Sequence, residues 1–253
     1  MKPDRRQLDA LVAGLQAIFG DDLTGVYLGG SAALGCFGPR SDLDVLVAIG
    51  RPMAPDEQRR LGALCLALSQ RRGRPAPPHL IELDVVLGPS LVPWRYPAPL
   101  HFHYSESLRE AFERGDEKPW RVDTYTDLAC ALTIAHAGAN VLAGGPVAEV
   151  LPPVPLEDYR AAIRVDRQWC LDNLETFKLH VVLSLPRVWA GLEDTRVHSK
   201  ASAAAWARQR LPTELRPVLE HAVAVYRGEA EESWDSLPVE DYVAYLVARI
   251  PAT

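Results

Sequence analysis

Apolar residues never run together long enough here to cross a bilayer, which takes roughly 18 in succession, so a membrane-spanning helix is excluded. The opening stretch, MKPDRRQLDALVAG, lacks the apolar centre of a secretory signal, and a cytoplasmic location is expected. Cysteine is scarce: Cys36, Cys65, Cys130 and Cys170 are the only four, and none forms a C-x-x-C pair. Each falls in an apolar stretch, so buried free thiols are expected and metal binding through sulfur is not. A basic excess is missing as well. The 27 Lys and Arg residues against 33 Asp and Glu leave a net charge of −6. That is the wrong sign for gripping a nucleic-acid backbone and a suitable one for a cationic partner.

What is present reads as globular. Hydrophobic residues make up 48% and charged residues 24% of 253, enough for one large domain or two modest ones. Residues 7–19 carry apolar side chains at helical spacing. TGVYLGG reads as a short strand ending in glycines and LDVLVAI as a buried strand. Residues 55–71 predict a helix with an acidic first turn and a basic last turn, and HLIELDVVLG predicts a third strand. Strand, helix, strand, helix, strand points to an α/β sheet. TDLACALTIAHAGANVLAGG then reads as a helix closed by glycines. After the proline-rich PVAEVLPPVPLEDY, helical patterns follow around 157–175, 176–191, 199–210, 213–227 and 238–250, with Ser199 placed to cap the third.

The chemistry concentrates in GGSAALGCFGPRSDLDVLV, residues 29–47. Asp42 and Asp44 are two apart, so on a strand their side chains face the same way. Two such carboxylates repel unless a cation neutralises them. Mg²⁺ fits, because it takes oxygen ligands from one or two carboxylates plus substrate phosphates. Gly29, Gly30 and Ser31 let the backbone approach a phosphate, and Ala32–Cys36 is expected to open a helix whose N-terminus favours anions. The bland alternative is a turn, where Ser and Asp bond the local backbone. Glu82 and Asp84 repeat the i, i+2 spacing in an otherwise apolar strand, for which an edge position is the bland explanation. If that strand lies beside the first, four carboxylates face one cleft. Two Mg²⁺ ions, or one metal and a general base, then account for them.

The G-S followed by S-D-L-D resembles the signature of the polymerase-β-like nucleotidyltransferases. Together with ELDVVLGPSLVPWRYP, HVVLSLPRVWAG, HSKASAAAWARQRLP and AVYRGEAEESW, the chain resembles the aminoglycoside (3″)(9)-adenylyltransferases, which inactivate streptomycin and spectinomycin. The resemblance implies an α+β fold: a nucleotidyltransferase α/β domain with a mixed sheet over 1–153, then an all-helical bundle domain over 154–253. It implies ATP as co-substrate, Mg²⁺ (two ions) as cofactor and a cationic aminoglycoside or aminocyclitol antibiotic as acceptor. Neither nucleic acid nor a membrane is an expected partner.

By the same resemblance Asp42 and Asp44 are magnesium ligands, and Glu82 is the catalytic base that also reaches the metal. Ser31, Ser41, Asp44 and Asp127 hold ATP, with Lys200 and Tyr226 from the helical half. Asp84 is left as a supporting acid toward the substrate or a third metal contact. On the acceptor side, Ser107 stands where members of known specificity carry a tryptophan lining the drug pocket. Trp169 and Asp172 correspond to a tryptophan and an aspartate that favour streptomycin. Glu175 is the nearest acid to another drug-binding carboxylate, and His180 matches a histidine near the interdomain cleft. Two rival functions are a nucleotidyltransferase for another acceptor, such as a protein side chain, and a non-catalytic nucleotide-binding module. Three costly acids kept together speak against the second.

Overall fold

The computed structural model describes residues 2–74, 76–120 and 123–251. It divides into two compact units, one ending at Val154 and one starting at Pro155.

The first unit begins with α1 (Arg5–Phe19), whose first turn is capped by the Asp4 side chain accepting the Arg6 N–H. There follow β1 (Leu23–Leu28), the single turn α2 (Gly30–Ala33), β2 (Leu43–Ile49), α3 (Pro55–Leu68) and β3 (Ile81–Leu87). Next come β4 (Ala98–Pro99), β5 (Phe102–Tyr104), α4 (Arg109–Glu113), β6 (Thr124–Tyr125), α5 (Leu128–Gly138), β7 (Asn140–Gly144) and α6 (Val147–Val150). Five strands form one sheet in the order β5-β3-β2-β1-β7, and β4 pairs with β6 separately. Only β2 and β3 run parallel, so the sheet is mixed.

Side-chain alternation decides which face does what. Leu43, Val45, Val47 and Ile49 of β2, with Ile81, Leu83 and Val85 of β3, enter one core with Leu11 and Leu15 of α1 and Leu61 of α3. Each of those wholly buried leucines contributes roughly 2 kcal/mol. Leu46, Ala48 and Val86 point the other way, against Leu128, Leu132 and Ala135 of α5. Asp44, Glu82 and Asp84 share the parity of this second face. A one-residue slip would drive all three acids into the first core, which pins the register.

The second unit is helical: α7 (Leu156–Asp172), α8 (Lys178–Asp194), α9 (Lys200–Arg208), α10 (Arg216–Arg227) and α11 (Val239–Val247). From Val181 to Leu192 every residue of α8 but Arg187 is buried, and the helix packs against the other four. That is the pattern of a central helix. Ser199 caps α9, its Oγ accepting the Ser202 N–H at 3.0 Å.

Four expectations are corrected. α3 stops at Leu68, short of Arg71 and Arg72, so it has no basic last turn. The helix expected over 32–36 is one turn that ends at Ala33, followed by Gly35 at φ +68°. Residues 140–144 are not a helix tail but β7, paired antiparallel with β1. A five-residue apolar run is too short for periodicity to separate strand from helix. Only Cys65 and Cys170 are fully buried; Cys36 and Cys130 are half-buried, and all four are free. No helix among the described residues is long and apolar enough to cross a membrane.

Candidate active site

The parallel register sets Asp44 directly beside Glu82, and Leu46 beside Asp84. β3 lies between β2 and β5, so neither acid of β3 sits on a sheet edge, and the bland explanation for them fails. Asp127 immediately precedes α5, the helix that packs on this same face. Burial first, then the charges of Asp44, Asp84, Asp127 and Asp42, push the Glu82 carboxyl well above the ordinary carboxylate range. Four acids therefore act on Glu82. Tyr125, its OH 3.5 Å from Asp127 Oδ2, joins them, and burial together with Asp127, Asp84 and Glu82 drives its phenol far upward.

The glycine-serine turn is fastened to these acids. The Gly29 N–H donates to the Asp44 carbonyl at 2.8 Å. At Gly30 a Cβ would fall 1.6 Å from Asp44 Oδ2, and φ is +50°, so both space and backbone demand glycine. Ser31 Oγ is sealed from solvent and has no hydrogen-bond partner among the described residues. Leaving such a hydroxyl unmet costs roughly 1–3 kcal/mol, and a ligand oxygen beside Asp44 is one way to meet it. Ser41 is buried and shapes the turn before β2: its Oγ accepts the Gly38 N–H at 3.0 Å, and its carbonyl lies 3.1 Å from His79 Nδ1.

Asp84 is nearly buried, with Oδ1 2.7 Å from His103 Nδ1 on β5. The His103 ring packs against Tyr125 at 5.4 Å between centroids. Sequence reading missed both residues. A three-residue strand carries almost no periodic signal, and only the aromatic alternation Phe102-His103-Tyr104 hinted that His103 faces away from the core.

Among the described residues no three His, Cys, Asp or Glu side chains close a metal site by themselves. Mg²⁺ does not ask for one, since a carboxylate or two plus phosphate oxygens suffices. Asp42 and Asp44 beside an unmet serine hydroxyl suit that shared coordination.

Ser107 is exposed in the turn after β5, its Oγ 2.8 Å from Ser105 Oγ, and is not among the groups acting on Glu82. In the helical unit, Lys200 Nζ lies 5.0 Å from the Tyr226 ring centroid, so these two predicted residues do come together. Trp169 stacks on Phe177 at 5.7 Å and meets the edge of His180 at 5.1 Å, forming an exposed aromatic group. Asp172 accepts from Gln168 at 2.8 Å and Glu175 pairs with Lys178 at 3.4 Å, each engaged with a near neighbour in sequence.

Acids from two parallel strands beside a glycine-serine turn make the first unit a nucleotidyltransferase architecture. Residues 149–249 match the family model described as aminoglycoside adenylyltransferase, C-terminal domain. The sequence is 33% identical over 220 residues to a spectinomycin 9-adenylyltransferase of Staphylococcus aureus, covering 87% of this chain and 84% of that one. It is 30% identical over 253 residues to an aminoglycoside (3″)(9) adenylyltransferase of Escherichia coli, covering 96% and 94%. A crystal structure of a spectinomycin adenyltransferase from Enterococcus faecialis with ATP and spectinomycin matches with a TM-score of 0.89 at 26% identity, covering 97% of this chain and 98% of that one. The chain belongs to the aminoglycoside and spectinomycin adenylyltransferase family.

Proposed function

We propose that this protein transfers AMP from ATP, with Mg²⁺, to a hydroxyl of a cationic aminoglycoside or aminocyclitol such as spectinomycin or streptomycin, releasing pyrophosphate. One observation carries the reading: Asp44 and Glu82 stand side by side on parallel strands, next to a serine hydroxyl with no partner among the described residues. The names of the relatives point the same way, and dependence on ATP fits a cytoplasmic enzyme.

In the reaction the acceptor hydroxyl attacks the α-phosphorus in line. A new P–O bond forms, the bond to pyrophosphate breaks, and the hydroxyl proton passes to Glu82. Without metal, burial and its acidic neighbours push the Glu82 carboxyl up; Mg²⁺ on Asp42 and Asp44 would relieve that push and leave Glu82 ionised to accept the proton. Asp42 and Asp44 would hold Mg²⁺, which when bound neutralises the cluster and the phosphate charge. Ser31 donates to a phosphate oxygen. Lys200 offers a flexible ammonium to the triphosphate and Tyr226 a ring to the nucleotide. The acids attract the cationic acceptor.

Incubation with ATP, Mg²⁺, spectinomycin and a panel of aminoglycosides tests this by mass spectrometry. A gain of one AMP on a drug is expected, and Asp42→Asn should lower its rate by about 10³-fold, the size of several kcal/mol of lost charge stabilisation. No adduct on any drug would refute the reading.

A further inference from the structure

We propose that His103, oriented by Asp84, binds a hydroxyl of the acceptor beside the one that reacts; this rests on the adenylyltransferase reading above. β5 pairs with β3 residue for residue: Leu83 with Tyr104, Asp84 with His103, Val85 with Phe102. Phe102 and Tyr104 enter the first core, so His103 projects onto the face of Glu82 and Asp84. A carboxylate only accepts, so the 2.7 Å contact assigns the Nδ1 proton to the ring and fixes its plane. Nε2 makes no hydrogen bond among the described residues, and the side chain is 12% exposed. The ring is held firmly at one nitrogen and left with the other to use.

The order of strands says what for. Across the sheet from β1 to β5 come Ser31, just after β1, then Asp44 on β2, Glu82 on β3 and His103 on β5. The phosphate and metal groups occupy one side of Glu82 and His103 the other. A hydroxyl that meets Glu82 and attacks toward the phosphate side therefore brings its own neighbours over β5. His103 stands opposite Asp84, two residues along β3 from Glu82, so the two backbones are diagonal neighbours ~8 Å apart, a gap that two neighbouring ring hydroxyls, each with a hydrogen bond from a side chain reaching inward, can bridge. A hydroxyl both donates and accepts, so it pairs with Nε2 whichever role the nitrogen takes. Asp84 acts through His103 and is a positioning residue; His103 itself touches the acceptor.

The alternative is that the pair only ties a short edge strand to the sheet. His103→Phe keeps ring and volume but removes both nitrogens, whereas His103→Gln restores a hydrogen-bonding group. With spectinomycin as acceptor, KM for spectinomycin should rise roughly tenfold in His103→Phe while KM for ATP stays within about twofold, and His103→Gln should recover most of the loss. An unchanged spectinomycin KM in His103→Phe, a parallel rise in both KM values, or failure of both variants to fold would overturn the proposal. A wild-type protein that moves no AMP would overturn the reading beneath it. An active wild type with an unaffected His103→Phe overturns the inference alone.

Discussion

Ser31 combines a buried, unmet hydroxyl with a place beside Asp44 in the glycine-serine turn. Its hydroxyl is buried and unmet, so deleting it removes a desolvation cost and no bond. Ser31→Ala is expected to melt at or slightly above the wild-type temperature while KM for ATP rises about tenfold; a lower melting temperature with unchanged ATP kinetics would give Ser31 a structural role instead. Gly30 behaves differently. A methyl there meets the Asp44 carboxylate and adopts positive φ, so Gly30→Ala should cost about 1–2 kcal/mol of stability. Displacing a carboxylate from the reacting groups should lower turnover by about 10²-fold or more, read as kcat on folded protein. Asp44, Glu82 and Asp84 were legible as one group because strand alternation is local, with the Gly-Ser before them and the family resemblance supplying the roles; Asp42, expected on the same strand, lies just before β2. His103 and Tyr125 were not, because their place depends on strand pairing between segments far apart in sequence.

At the scale of elements, α3 is anchored by one acid. Arg51 reaches Glu57 through two hydrogen bonds of 2.8 and 2.7 Å, and the Ala54 N–H donates to it at 2.8 Å. Alanine has no acceptor to return the bond, so only the glutamate half of a capping box exists. Arg51 first, then the Ala54 N–H, pull the Glu57 carboxyl down to about 2. A lowered folded-state value means the contribution is full above the unfolded value near ~4.3 and is lost as pH falls toward 2. Glu57→Gln should therefore cost about 1 kcal/mol at neutral pH, and its gap from wild type should close between pH 4 and 2 in thermal melts. A gap independent of pH over that range would contradict the ion pair. Elements with ten or more periodic residues, such as α1, α3 and α8, could be read from sequence. β5 and β7 could not, since three and five residues acquire their identity only from a neighbouring strand.

At the scale of the whole molecule, the second unit shows how far composition reaches. The proline-rich stretch around residues 146–159 and the run of helical periods foretold a change of architecture, and α8 was read as the helical pattern over 176–191, its central place showing only in the packing. The acceptor side was less legible, because Trp169 and His180 meet across a helix-helix packing while Asp172 and Glu175 bond within their own segments. Chemistry concentrates instead in a few acids on one sheet face, and the roles of two of them separate cleanly by experiment. Single-turnover transfer of AMP from ATP to saturating spectinomycin, followed by mass spectrometry in Glu82→Gln and Asp84→Asn with ATP affinity measured alongside, is the most direct trial. Glu82→Gln should lose about 10²-fold or more in rate with ATP affinity within a few-fold of wild type, and Asp84→Asn should keep most of its rate. Asp84→Asn without transfer beside a nearly unimpaired Glu82→Gln would contradict the assignment of the base.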